Sequence, residues 1–330
     1  MRTTISRRTD NGSADAGRPS VRVRDGARTI HFTPDFLADA AVEREAAAAR
    51  ERVFAELAAL KLEANVAELE ADGVTILRPE QVTDPDFIKR LSSAILRVSG
   101  ERAGRAVDVV AGATHREYLS PFGQAQWEPT LLVQDRVFEQ ALTNRPVLAL
   151  ISYLLGESCI LNHLSSVVKG PGKEHLPLHT DQNQTGSIAP YPAYAQVANA
   201  TWILSDYSRE NGATCFVRGS HKLCRHPTFA EATDLARFTP VEAPAGSVLI
   251  WHGNTWHGAL PRTAPGVRIS LIAYYQRWYH PPVENLAPQI TEEMLARNPR
   301  RFATLTGVAH PLTIDFNSVA SKAARVGLYS

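Results

Sequence analysis

The chain has 330 residues, 44% of them hydrophobic, and its 35 basic and 34 acidic side chains leave a net charge of +1. This composition predicts a folded domain with a large core, and the balanced charge argues against nucleic acid as a partner. The longest apolar run, residues 146–155, is too short to cross a bilayer, and three cysteines without close spacing are typical of reduced thiols. We therefore expect a cytoplasmic protein that does not act on membranes.

The N-terminal part of the chain predicts disorder followed by a helix. Residues 1–30 are rich in Arg, Asp, Gly and Ser and are predicted to lack order. One long helix is predicted over residues 38–71, ending at Asp72 and Gly73, because apolar residues recur there at helical spacing. These apolar residues are Val53, Leu57, Leu60 and Ala64.

Residues 31–330 are predicted to form a single domain whose secondary structure changes along the chain. Helical patterns dominate to about residue 155, and short apolar runs broken by Gly, Pro and Asn follow over about 159–280. Such short, interrupted apolar runs predict a β-barrel or β-sandwich. Residues 281–330 are predicted to be mixed helix and loop. The smaller predicted elements are a strand at 74–77, a helix from 83, an irregular stretch at 100–130, helix over 133–155 and a helix start at Thr291.

Two histidines and an aspartate have the chemistry of a metal site. His179 and Asp181 are two residues apart, so on a β-strand their side chains point to the same face. A second imidazole, His257, lies behind another predicted strand. Two His and one carboxylate leave coordination positions open on a metal, as in non-haem Fe(II) oxygenases. The three residues are therefore predicted to bind Fe(II) and to form the catalytic centre.

Other interpretations of these residues stay open. His-x-Asp alone is a weak pattern, since a surface hydrogen-bonded pair gives the same spacing. His252 precedes His257 by five residues and competes with it as the second imidazole ligand. We prefer His257 because it begins a His-Gly pair eleven residues before Arg268.

The predicted strand over residues 267–275 places Arg268 and Ser270 on one face. A buried arginine in so apolar a strand needs an anionic partner. A guanidinium and a hydroxyl side by side suit the carboxylate of a co-substrate, which we predict to be 2-oxoglutarate. The alternative is a structural salt bridge to an Asp or Glu across the sheet.

Four motifs in order resemble the phytanoyl-CoA dioxygenase (PhyH-like) family of Fe(II)/2-oxoglutarate oxygenases. The resemblance covers roughly residues 64–280. Its motifs are Glu68–Leu77 with an Asp-Gly turn, Ser166–Gly172 followed by Pro177–Asp181, Ser205–Lys222 with Asn-Gly and Gly-Ser-His-Lys, and Ala245–His252 leading to His257 and Arg268. Arg218 stands where proline is usual in the third motif. Asp181 fills the carboxylate position, which argues against halogenation.

The resemblance implies a mainly β fold, a double-stranded β-helix (distorted jelly roll, cupin-like) with flanking helices. It also implies Fe(II) on His179, Asp181 and His257, 2-oxoglutarate on Arg268, and O2 as the oxidant. Thr201 and Trp202 share a strand that faces the co-substrate in relatives, although only one of them can point inward. Further expectations are Ser165 and, more loosely, Ser270 near the co-substrate, and Gln182, Asn183 and Trp256 near the substrate.

The predicted activity is hydroxylation of an unactivated C–H bond of a small molecule, with release of succinate and CO2. A specialised metabolite or an amino-acid-like compound is the expected substrate, because no Lys/Arg cluster suits the phosphates of CoA. Desaturation, ring formation and epoxidation stay open as outcomes, and so does assembly into a homo-oligomer. Two alternatives are a metal-binding jelly roll that does not use 2-oxoglutarate and a non-catalytic binding protein on the same scaffold.

Overall fold

A computed structural model describes residues 21–25, 28–32, 39–82, 84–112, 125–182 and 186–309. The chain forms two compact units, residues 1–52 and 53–330. The helices are α1 (Asp39–Ala59), α2 (Glu63–Asp72), α3 (Pro79–Val82), α4 (Pro85–Ala103), α5 (Arg136–Leu142), α6 (Arg145–Leu155), α7 (Phe229–Thr233), α8 (Glu292–Arg297) and α9 (Arg301–Leu305). The strands are β1 (Val21–Asp25), β2 (Arg28–Phe32), β3 (Val74–Leu77), β4 (Ala125–Glu128), β5 (Ile160–Lys169), β6 (Leu176–His179), β7 (Val197–Ile203), β8 (Thr214–Phe216), β9 (Thr239–Pro240), β10 (Val248–His252), β11 (His257–Ala259) and β12 (Arg268–Gln276).

In the first unit, β1 and β2 pair as an antiparallel ladder in which Val21 lies opposite Phe32. The predicted lack of order over residues 1–30 stays a prediction, and β1 and the start of β2 lie within that range. Residues 1–20 lie outside the described part of the chain. The predicted division at residue 31 stays a prediction.

The helix predicted over residues 38–71 is interrupted, so that prediction was wrong in its middle. Lys61 adopts a left-handed φ of 57° between α1 and α2, and an α-helix cannot continue through that conformation. Leu62, next in the chain, is only 1% exposed, so its burial offsets the cost of the break. The predicted end is confirmed, because Gly73 has a φ of 77° and its N–H bonds the carbonyl of Leu69.

Several local signals are confirmed by helix caps. Asp84 and Thr291 accept backbone N–H bonds at the starts of α4 and α8. The helical pattern over residues 133–155 forms two helices, because Asn144 caps α6 and Pro146 follows at its first turn. The stretch predicted to be irregular contains β4, and residues 113–124 lie outside the described ranges.

Two antiparallel sheets form the core of the second unit, which confirms the predicted jelly-roll class. The larger sheet has the order β3-β10-β7-β12-β5-β4, and the smaller has β6-β11-β8-β9. The many crossovers in these orders show that neighbours in space are distant in sequence. Side chains of Val74, Ile203, Leu249 and Trp251 from the larger sheet pack with Phe216 of the smaller one.

The other face of the larger sheet packs against helices. Alternate β12 residues Ile269, Leu271, Ala273 and Tyr275 join a core with residues of α4, α5 and α6. The remaining β12 residues, Arg268, Ser270, Ile272 and Tyr274, therefore point between the two sheets. This inner face carries the polar residues of the candidate site.

Gly253→Ala is expected to destabilise the fold, because a Cβ there would lie 2.3 Å from Val197 Cγ2 and 2.6 Å from Val197 O. Overpacking of this kind costs about 1–3 kcal/mol of unfolding free energy. Gly100→Ala is the matched control: its Cβ would lie 3.4 Å from the nearest atom, inside α4, and alanine there should stabilise by about 0.5–1 kcal/mol. Urea denaturation measures the unfolding free energy of both variants. Equal unfolding free energies would contradict the packing argument.

Candidate active site

Three metal-ligating side chains converge between the sheets. His179 ends β6 and His257 begins β11, and the two residues are direct partners in the antiparallel ladder. Asp181 follows β6, with its Oδ1 3.8 Å from His179 Nε2 and its Oδ2 3.4 Å from His257 Nε2. One donor atom from each residue lies within 4.8 Å of the others. The predicted constellation is therefore brought together in space.

Both imidazoles are held with Nε2 directed at the cluster. His179 Nδ1 lies 2.9 Å from the carbonyl of Pro177, and His257 Nδ1 lies 3.0 Å from the carbonyl of Thr255. A carbonyl only accepts, so Nδ1 carries the proton and Nε2 keeps its lone pair. Burial and the neighbouring His257 ring lower the pKa of His179 to about 4, which keeps it neutral. This donor set fits Fe(II) in a two-histidine, one-carboxylate site.

Asp181 is fixed by neighbours on the inner sheet face. Asn199 Nδ2 donates to Asp181 Oδ2 at 2.6 Å, and the Tyr274 hydroxyl donates to the Asp181 carbonyl at 3.2 Å. The Asp181 N–H bonds the carbonyl of Gly253 at 3.0 Å. One carboxylate oxygen is therefore oriented by an amide, while backbone and side chain together hold the residue in place.

Asn199→Leu should lower metal affinity about 10- to 100-fold, the usual cost of losing an outer partner of a metal ligand. The reason is that the 2.6 Å bond to Asp181 Oδ2 disappears while all three ligands remain. Anaerobic calorimetric titration with Fe(II) measures the change in metal affinity. Tyr274→Phe should have a smaller effect, because that hydroxyl bonds the backbone carbonyl of Asp181 and not its carboxylate. Unchanged affinity in Asn199→Leu would refute the orienting role.

A buried guanidinium lies at the other end of the inner face. Arg268 is 4% exposed; its Nη1 donates to the Gly212 carbonyl at 2.6 Å and its Cζ lies 4.9 Å from the Tyr207 ring centre. Within the described residues, no carboxylate pairs with Arg268 and its buried Nε has no hydrogen-bond partner. The alternative of a structural salt bridge thus has no support there. A buried cation without a counter-ion is suited to an anionic ligand.

Lys169 is a second buried cation that the sequence reasoning did not single out. It lies directly opposite Arg268 in the β5–β12 ladder, so both side chains point to the same face. Its ammonium bonds the carbonyl of Leu260, and burial together with Arg268 lowers its pKa to about 7. The signal was present as Val-Val-Lys in the second family motif, but only the register shows its proximity to Arg268.

Polar side chains between the metal cluster and Arg268 share the same face. Ser270, Thr201 and Ser165 are buried there, and the hydroxyls of Thr201 and Ser165 have no partner among the described residues. Trp202 does not join them, so Thr201 is the member of that pair, between which the sequence did not choose, that lies on this face. Its ring faces the helices and lies 5.4 Å from that of Phe87, because consecutive strand residues point to opposite faces.

The three residues predicted to contact the substrate lie in different surroundings. Gln182 is fully buried and its Oε1 accepts from the Gln196 N–H, so it is tied to the adjacent segment. Asn183 lies outside the described residues. Trp256 points away from His257: its indole N–H donates to the Arg225 carbonyl, and the Arg225 guanidinium covers the ring at 4.7 Å. These contacts of Trp256 therefore give no support to the predicted substrate role.

His252, the competing imidazole, is not part of the cluster. Its Nδ1 accepts from the Asn254 N–H at 3.0 Å, and its ring lies 5.5 Å from His221. Trp251 and Phe216 instead pack around His257, at 5.0 and 5.9 Å between ring centres. The preference for His257 agrees with this geometry.

Comparisons with known proteins agree with the fold. The chain is 28% identical over 195 residues to the dioxygenase af480 of Aspergillus fumigatus, an alignment covering 57% of this chain and 61%, less than two thirds, of that protein. Streptomyces hygroscopicus HygX, solved with nickel and 2-oxoglutarate, superposes with a TM-score of 0.51 at 18% identity, covering 66% of this chain and 87% of HygX. The epimerase SnoN from nogalamycin biosynthesis gives 0.50 at 20% identity, covering 68% and 86%.

Within the described ranges, none of the helices is both long and apolar enough to cross a membrane.

The family model for phytanoyl-CoA dioxygenase (PhyH) matches residues 69–270, more than half of the chain. That match includes the metal cluster, Arg268 and, except for Glu68, the motifs that carried the resemblance. The chain therefore belongs to the phytanoyl-CoA dioxygenase family, whose members are oxidoreductases that depend on Fe(II), 2-oxoglutarate and O2, as the sequence predicted.

Proposed function

We propose that this protein is a dioxygenase that hydroxylates a C–H bond of a small molecule and converts 2-oxoglutarate to succinate and CO2. The observation that carries the proposal is the inner sheet face. At one end it holds the cluster of His179, Asp181 and His257, and at the other the buried Arg268, which pairs with no carboxylate of the described residues. A ligand with a metal-binding end and an anionic end fits this pair of features.

The chain's own residues provide binding and orientation for this reaction. His179, Asp181 and His257 would hold Fe(II), which supplies O2 activation and the oxidative decarboxylation of 2-oxoglutarate when bound. Arg268 and Lys169 would neutralise the distal carboxylate, and the Thr201 hydroxyl, which has no partner among the described residues, would offer a further hydrogen bond. Holding the co-substrate at both ends leaves one side of the metal site for the substrate.

Two observations support a small molecule as the substrate. The net charge of +1 does not favour nucleic acid, and proteins of the same fold bind small molecules. HygX has been solved with hygromycin B and SnoN with nogalamycin RO, each of them a small molecule. For this chain we propose a specialised metabolite or an amino-acid-like compound. Because SnoN is an epimerase, the fold alone does not select hydroxylation, and product analysis decides between hydroxylation and other oxidative outcomes.

The experiment that tests the proposal requires no knowledge of the substrate. Metal-free protein is given Fe(II) and then 2-oxoglutarate under anaerobic conditions, and the visible spectrum is recorded. A weak charge-transfer band that forms only with both additions supports the proposal. Metal binding without any band, in a correctly folded sample, would instead favour a metal-binding jelly roll that does not use 2-oxoglutarate. Absence of metal binding would favour a non-catalytic protein.

A further inference from the structure

His163 lies in a row of side chains that crosses the inner sheet face at the metal cluster. In the sheet, His163 of β5 is opposite Tyr274 of β12, which is opposite Asn199 of β7. The three side chains therefore point to the same face. Asn199 contacts the Asp181 carboxylate, Tyr274 contacts the Asp181 carbonyl, and His163 stacks on Tyr274 with ring centres 5.0 Å apart at 19°. His163 is thus one ring removed from the metal ligand.

The hydrogen-bond network behind His163 determines which ring nitrogen carries the proton. The His280 backbone carbonyl can only accept, so Gln276 Nε2 donates to it at 2.6 Å and Gln276 Oε1 faces Asn162. Asn162 Nδ2 donates to that oxygen, which leaves Asn162 Oδ1 as an acceptor. His163 Nδ1 lies 2.9 Å from Asn162 Oδ1 and must donate to it. The proton is therefore on Nδ1, and Nε2 presents a lone pair.

This lone pair accepts no hydrogen bond within the described part of the chain. No described residue donates a hydrogen bond to His163 Nε2, and no carboxylate there pairs with the ring. Burial lowers the pKa of His163 to about 4, although Asp181 opposes the shift, so the ring is neutral near pH 7. A neutral acceptor on the face of a metal site, with its other nitrogen fixed by a four-residue network, is suited to bind a donor group of a ligand.

The surroundings of His163 are aromatic. Trp127 of β4 makes a T-shaped contact with the imidazole, with ring centres 6.2 Å apart, and is 38% exposed, while Tyr274 stacks on the imidazole. Trp127 and Tyr274 share the inner face with His163 through the strand register. Arg268 and Lys169, the two inner-face cations of the proposed co-substrate site, lie six residues farther along their strands. The two side chains that flank His163 on this face are therefore both aromatic.

We propose that His163 is a substrate-positioning residue whose Nε2 accepts a hydrogen bond from a hydroxyl on a ring-bearing, uncharged substrate skeleton that packs against Trp127. This inference rests on the proposed function, because it assigns the substrate side of that site. It also predicts the chemical class of the substrate: an apolar ring system that already carries a hydroxyl before the oxidation.

The tautomer is tested first, in the full-length protein loaded with Zn²⁺ in place of iron and saturated with 2-oxoglutarate. Histidine-selective ¹⁵N labelling and long-range ¹H–¹⁵N correlation report the protonation of each ring nitrogen, and loss of one signal set in His163→Phe assigns the residue. We expect a neutral ring protonated on Nδ1 at pH 7. A ring protonated on Nε2, or on both nitrogens, would overturn the inference.

Binding is then tested with a matched pair of probes, cyclohexanol and methoxycyclohexane, which differ in their hydrogen-bond donor. Cyclohexanol should shift the His163 Nε2 resonance saturably and bind about three- to tenfold more tightly than the ether, as one neutral hydrogen bond allows. His163→Phe, which retains the stacking on Tyr274, should abolish the preference, and His163→Gln, which retains an acceptor, should keep part of it. Equal affinity for both probes in the wild type, no shift with either, or a preference that survives in His163→Phe contradicts the proposal.

Failure of this inference is separable from failure of the proposed function. The 2-oxoglutarate band of the Fe(II) protein tests the co-substrate site and does not involve His163. In His163→Phe we expect that band and the affinity for 2-oxoglutarate to be unchanged, since Arg268 and Lys169 are untouched. If the variant instead lost both the band and the probe preference, His163 would have a structural role and the positioning role would be rejected.

Discussion

Asp181→Asn is expected to reduce Fe(II) affinity by more than about a hundredfold, beyond the 10- to 100-fold cost of losing an outer partner. The substitution retains the size of the side chain and an oxygen that accepts from Asn199, so the fold should be preserved. It removes the negative charge that faces His179 Nε2 and His257 Nε2 at 3.8 and 3.4 Å. Two neutral imidazoles and an amide are a much weaker set for a divalent cation. Anaerobic calorimetric titration measures the loss.

The control is Asp206→Asn, the same chemical change at an exposed residue whose Oδ1 accepts from the Ala245 N–H. It should leave Fe(II) affinity unchanged. Thermal denaturation of both variants separates loss of metal binding from loss of fold. Wild-type metal affinity in Asp181→Asn would remove this residue from the ligand set and, with it, the reason for assigning the cluster to iron.

Arg268→Leu is expected to weaken 2-oxoglutarate binding by about a hundredfold or more, since removing one partner of a buried charge pair costs about 2–5 kcal/mol. Leucine retains much of the side-chain volume at this buried position, so the metal cluster should remain intact. Lys169→Met should have a smaller effect, because its ammonium also bonds the Leu260 carbonyl. The anaerobic charge-transfer band, titrated with 2-oxoglutarate, gives the affinity of each variant.

A second ligand makes the Arg268 test specific. 2-Oxopentanoate has the same metal-binding end as 2-oxoglutarate but lacks the distal carboxylate. Its affinity should be weak in the wild type and nearly the same in Arg268→Leu. A large loss with both ligands would show that the substitution disturbs the metal centre, and no loss with either would show that Arg268 does not bind the co-substrate.

The sequence by itself determined the parts of this site that depend on local geometry. His179 and Asp181 are two residues apart at the end of β6. Because side chains alternate along an extended chain, this spacing places both on the same side. The same alternation over residues 268–275 separates the core side chains from Arg268 and Ser270, as the structure shows. Caps at Asp84 and Thr291 begin helices through bonds to residues three positions away.

Only the tertiary structure decided which residues meet across strands that are far apart in the sequence. Lys169 and Arg268 are 99 positions apart, and their pairing depends on the β5–β12 register. The choice of Thr201 over Trp202 depends on which sheet face the helices cover, and Trp256 turns away because Arg225 covers it. Alternation specifies two faces of a strand, but only long-range packing decides which face becomes the site.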